Sequence, residues 1–107
     1  MPEMIEVDPQ TAKDWQDADE AILIDVHEEQ ELLEVKIPGA LHNPMSAFDP
    51  EAVPNDTGKK IIFVCAMGMR SQQVGQYLLN TEKLDEAYNL TGGTSGWAQL
   101  GLPFEHE

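Results

Sequence analysis

Ile61-Ile62-Phe63-Val64-Cys65-Ala66-Met67-Gly68-Met69-Arg70-Ser71 decides how this chain folds. Four consecutive apolar residues, Ile61 to Val64, have the length and composition of a strand covered on both faces. Ser71 is of a type that caps helices, and beyond it Val74, Tyr77 and Leu78 recur at helical spacing. The stretch therefore predicts strand, short loop and a helix from Ser71 to about Asn80. Gly75 costs about 1 kcal/mol against Ala inside a helix, which predicts close packing at that point.

Working outward, Ala21-Ile22-Leu23-Ile24-Asp25-Val26 is a second continuous apolar run of strand length. Ile5 to Val7 reads as a short strand ended by Asp8-Pro9. Thr11 is placed to cap a helix to about Asp17 with Trp15 turned inward. Glu28 to Val35 reads as a short helix whose first turn is rich in Glu, favourable at the positive end of the helix dipole. Pro38-Gly39 turns the chain, and Ala40 to His42 follows as a short strand. Residues 43–60 contain three prolines and read as loop, with a helical turn near Met45 to Phe48. Glu86 to Leu90 is the last strand, Gly92-Gly93 turns into a short helix holding Trp97, and Gly101-Leu102-Pro103 closes the chain. Buried strands alternating with helices give an α/β fold, a mostly parallel sheet with helices on both faces.

The 107 residues suit one domain, 1–107, with a single core. No apolar run approaches the ~18 residues of a membrane span, and the acidic start Glu3 to Glu6 does not resemble a secretory signal. The expectation is a cytoplasmic protein with no membrane association. Residues 1–35 hold twelve acids and one base, Lys13, which is −11 of the formal −14. Nucleic acid is excluded as a partner, because neutralising phosphates takes clustered Lys and Arg. The acidic third either solubilises the chain or steers a basic protein; composition leaves both open.

Cys65 is the only cysteine, so an internal disulfide, a CxxC pair and a cysteine zinc cluster are all excluded, and no metal or cofactor is expected. A lone cysteine is ordinarily a small buried hydrophobe. Its position argues otherwise here. Ligands of open α/β sheets bind beyond the carboxyl ends of strands, where loops lead to helix N-termini. The loop Cys65-Ala66-Met67-Gly68-Met69-Arg70 lies there, with Gly68 permitting a tight bend. Its N–H groups can converge as an anion nest, and Arg70 adds a cation at the rim. That setting lowers a thiol pKa and makes Cys65 a nucleophile. Lys59 and Lys60 belong to the far end of the strand, roughly 13 Å away at about 3.3 Å per residue. Asp25 suits a hydrogen bond to loop backbone better than a general base, and His27 and His42 suit local polar contacts. Trp15 and Trp97 suit packing. Met67 and Met69, flanking the nucleophile, either point outward passively or form a soft mouth for a docking protein.

Three stretches resemble the rhodanese family. Leu23-Ile24-Asp25-Val26-His27, with Glu31 and Ile37-Pro38-Gly39-Ala40, is similar to the family's first motif. Val64 to Ser71 is similar to its active loop, and Leu90-Thr91-Gly92-Gly93 with Trp97 and Gly101-Leu102-Pro103 to its closing motif. With these motifs in order, the resemblance runs from about residue 5 to 105. His27 stands where the family commonly has Arg, and Val35-Lys36 replaces its usual Gly-His.

The resemblance implies a rhodanese-like three-layer sandwich and a sulfurtransferase with Cys65 as the catalytic residue. Sulfane sulfur would pass from thiosulfate or a persulfidated protein, through a Cys65 persulfide, to a thiol, cyanide or protein acceptor. Ala66, Met67, Gly68, Met69 and Arg70 would bind the substrate through backbone amides and the Arg70 cation. With one cysteine, the acceptor must come from outside the chain. Phosphatases and arsenate reductases of related fold have a Cys-to-Arg loop one residue longer than the six residues here. The rival of a different class is a non-catalytic binding or regulatory module, although such modules typically lack the cysteine.

Overall fold

The structure is a computed structural model and describes residues 3–28, 35–54 and 57–105. Its strands are β1 (Ile5–Val7), β2 (Ala21–Asp25), β3 (Leu41–His42), β4 (Lys60–Val64) and β5 (Tyr88–Leu90). Its α-helices are α1 (Pro9–Asp17), α2 (Met69–Asn80) and α3 (Gly93–Gln99). One sheet runs in the order β1-β5-β4-β2-β3. Every pairing in it is parallel, with Ile22 opposite Ile61 and Ile62 opposite Tyr88.

The two apolar runs occupy adjacent strands of this sheet, and their side chains alternate between its faces as the period of two requires. Ile61, Phe63 and Cys65 of the β4 line face one side with Ile24, and Val74, Leu78 and Leu79 of α2 cover them. Ile62 and Val64 face the other with Leu23 and Leu90, beneath Ala12 of α1 and Trp97 of α3. This is the α/β sandwich with both sheet faces covered.

Several boundaries differ from expectation. Asp8, not Thr11, caps α1: its carboxylate accepts the Thr11 N–H at 2.8 Å and the Thr11 hydroxyl at 3.0 Å. Asp8-Pro9 starts the helix as well as ending the strand, since proline's fixed φ and missing N–H suit the first helical turn. Helix α2 starts at Met69 behind a Gly68 cap in the left-handed region, φ 94°, so Ser71 lies inside the helix. Tyr77 is 56% exposed and Leu79 takes its expected place in the core. The last strand is only Tyr88–Leu90, and a second 3-10 turn, Pro50–Ala52, follows the one at Met45–Ala47. The helix expected over Glu28 to Val35, including Glu31, falls mostly outside the described residues.

Gly75 is tightly packed as its cost predicts: a Cβ there would lie 2.3 Å from Met4 Cε and 3.1 Å from Phe63 Cδ2. Among the described residues no helix is long and apolar enough to cross a membrane.

Candidate active site

Strand β4 delivers Cys65 to the carboxyl edge of the sheet, and α3 holds the loop that follows. The Thr94 N–H donates to the Cys65 carbonyl at 2.8 Å and the Ser95 N–H to the Ala66 carbonyl at 3.1 Å. This approach requires a residue without a side chain. Gly93 has φ 59°, and a Cβ on it would lie 2.1 Å from the Cys65 carbonyl oxygen. The loop then turns at Gly68, whose left-handed backbone aims its N–H at Cys65 Sγ, 3.0 Å away.

Cys65 is 1% exposed, and the Ser71 hydroxyl reaches its Sγ at 3.4 Å from the first turn of α2. Burial pushes the Cys65 thiol pKa up. The Ser71 hydroxyl and the backbone N–H groups of Ser71, Gly68 and Met67 outweigh it, so the thiol sits below its ordinary value. Donors aimed at sulfur favour the charged form. The hydrogen-bond donors around Cys65 thus favour its charged form over the neutral thiol, and the loop amides suit an anion.

Of the predicted substrate-binding residues, Gly68 and Met67 supply amides to the sulfur. Ala66 is half-buried and clamped by Ser95. Met67 and Met69 point outward, 67% and 72% exposed, and Arg70 is half-buried in the first turn of α2. Asp25 accepts the His27 N–H at 2.9 Å, the loop contact expected of it. His42 Nε2 meets the His27 carbonyl at 2.7 Å. Lys59 and Lys60 lie at the opposite edge, engaged with Asp19 at 2.7 Å and over the Trp15 ring at 4.9 Å.

Three residues of the site escape sequence reasoning. Ser71 reads as a helix cap, yet it is fully buried against the sulfur and donates to Asn89 Oδ1. Gly93 reads as a turn former. Asn89 is buried at 2% in β5, and its one signal is a polar side chain in the middle of an otherwise apolar strand.

The model of the Rhodanese-like domain matches residues 8–100 of this sequence. The chain belongs to the rhodanese-like family. It is 35% identical over 96 residues to the Bacillus subtilis protein named "Putative sulfurtransferase YtwF", covering 89% of this chain and 91% of that one. It is 27% identical to the thiosulfate sulfurtransferase GlpE of Actinobacillus succinogenes, over 94% of this chain and 89% of that protein. Among solved structures, SSP1007 from Staphylococcus saprophyticus superposes with a TM-score of 0.75 at 30% identity, covering 96% and 100% of the two chains. The chain is thus homologous to proteins named as sulfurtransferases, and its single cysteine follows β4 at the carboxyl edge of the parallel sheet.

Proposed function

We propose that this rhodanese-like domain is a sulfurtransferase that carries sulfane sulfur on Cys65. The observation that carries the reading is the buried Cys65 sulfur, 3.0 Å from the Gly68 N–H and 3.4 Å from the Ser71 hydroxyl. The Cys65 thiolate attacks the outer sulfur of thiosulfate. The new S–S bond forms as the old one breaks, and sulfite leaves with the bonding pair. The charge passes to the outer sulfur of a Cys65 persulfide, cradled by the loop amides from Ala66 to Arg70 with the Arg70 cation beside them. A thiolate or cyanide then attacks that outer sulfur, and Cys65 leaves as thiolate; its depressed pKa makes it a good leaving group.

Because Cys65 is the only cysteine, the acceptor is external: a small thiol, cyanide or a protein. The exposed Met67 and Met69 at the loop rim suit a protein that presents its own cysteine. A persulfidated protein serves as donor by the same displacement. Retention of the nucleophile and its donors favours turnover over a purely regulatory module.

The test is sulfite release. Without acceptor, thiosulfate should yield one sulfite per chain and then stop; added cyanide should restart release and produce thiocyanate. Absence of both the stoichiometric burst and thiocyanate would refute turnover with this donor, and a small persulfide would replace thiosulfate to test the second one. A further expectation concerns salt. The formal charge of −14 repels a dianion, and screening weakens that repulsion. The KM for thiosulfate should therefore fall as ionic strength rises; a KM independent of salt would remove the electrostatic argument.

A further inference from the structure

Asn89 joins three elements at one point. Its Nδ2 donates to the Gly68 carbonyl at 3.0 Å and lies 3.1 and 3.2 Å from the two Glu6 carboxylate oxygens. A side-chain NH2 only donates, so these acceptors fix the amide orientation and turn Oδ1 towards Ser71. The Ser71 hydroxyl therefore stands between two acceptors, Asn89 Oδ1 and Cys65 Sγ. It has one proton to give. All three residues are at most 2% exposed, so no bulk water substitutes for a missing partner.

We propose that Asn89 is a positioning residue which, through Ser71, makes the hydroxyl proton follow the charge on the Cys65 sulfur. The inference rests on the reading of Cys65 as the sulfur-carrying residue. In the thiol, S–H donates to Ser71 Oγ and the hydroxyl proton goes to Asn89 Oδ1. When the thiol ionises, its proton leaves to solvent and the Ser71 hydroxyl swings to donate to the thiolate. When the persulfide forms, the charge moves to the outer sulfur and the hydroxyl returns to Asn89. Ser71 keeps its proton throughout. The donor thus meets the inner sulfur at the two moments it is charged, as nucleophile and as leaving group, and is held by Asn89 between them.

Among the described residues, the titratable or charged side chains on the surrounding elements are Arg70 and the exposed Tyr77 on α2, Glu6 on β1, Asp25 and His27 at the end of β2, Lys60 at the far end of β4 over the Trp15 ring, and Tyr88 on β5. Tyr88 turns to the opposite sheet face, edge-on to Trp15 at 5.4 Å between ring centroids. Helix α3 contributes none.

The test follows the side-chain carbonyl carbon of Asn89 by NMR in the full chain across the pH titration of Cys65. The resonance should step with the midpoint of Cys65 alkylation. The step should vanish in Ser71→Ala and in Cys65→Ser, and conversion to the persulfide should return the resonance to its thiol position. Loss of a hydrogen bond to a charged group should also slow alkylation of Ser71→Ala at neutral pH roughly ten-fold. A native resonance that stays flat through the Cys65 titration, or a step that survives in Ser71→Ala, would overturn the proposal. The pH series needs no sulfur donor, so failure to accept sulfur would count against the transferase reading alone.

Discussion

Gly93→Ala is expected to cost about 4 kcal/mol of folding stability, among the larger effects of single substitutions, and to leave Cys65 poorly reactive. Two causes combine. The left-handed backbone, φ 59°, is strained for any residue with a side chain, worth about 1–2 kcal/mol. The larger one is contact: the new Cβ would lie 2.1 Å from the Cys65 carbonyl oxygen and 2.5 Å from the Ala66 carbonyl. Both are backbone atoms, which cannot rotate away as the end of a side chain can. Relief requires α3 to lift off the loop, breaking the Thr94 and Ser95 hydrogen bonds that hold it. Gly101→Ala separates the two causes, because Gly101 has φ 74° and open space where its Cβ would stand. Denaturant unfolding of both variants, with alkylation rates of Cys65, checks the account. Equal losses in the two variants would mean that strain alone matters and that α3 does not clamp the loop.

Cys65→Ser is expected to bring thiocyanate formation down to the uncatalysed rate while the fold persists. The serine hydroxyl remains protonated in the same pocket, and oxygen offers no persulfide. Stability should change in a pH-dependent way. The folded Cys65 thiol is held below its ordinary value by Ser71 and the loop amides despite burial, so the unfolded chain binds the thiol proton more tightly. The resulting stabilisation is fully present above the unfolded pKa of about 8.5 and is lost as pH falls through the folded value. The stability advantage of the native chain over Cys65→Ser should therefore grow from acid to mildly alkaline pH. A gap that is constant or shrinks over that range would show that the pocket does not favour the thiolate.

The architecture was legible because its signal is apolar and continuous. Two runs, Ala21 to Val26 and Ile61 to Val64, have the length and β-branched composition of strands covered on both faces, and they sit side by side in the sheet. Cys65 was legible for the same reason, since the strand's end places it. Cap positions were less so. Asp8, Thr11, Gly68 and Ser71 all have residue types that suit a helix start, and local chemistry does not choose among them. Ser71 and Asn89 were missed because their partners are distant in sequence: β5 meets α2 only once the sheet has formed. Gly93 carried a turn former's signature, and nothing local announces that the backbone of residues 65 and 66 passes within van der Waals contact of it.

The central claim is that Cys65 accepts and returns one sulfur atom, and intact mass measures it most directly. The reduced chain, incubated with thiosulfate and freed of excess donor, should gain the mass of one sulfur. Cyanide or a thiol should remove it, and Cys65→Ser should gain nothing. A native chain that gains no sulfur from thiosulfate or a small persulfide, with a Cys65 that also resists alkylation, would contradict the account.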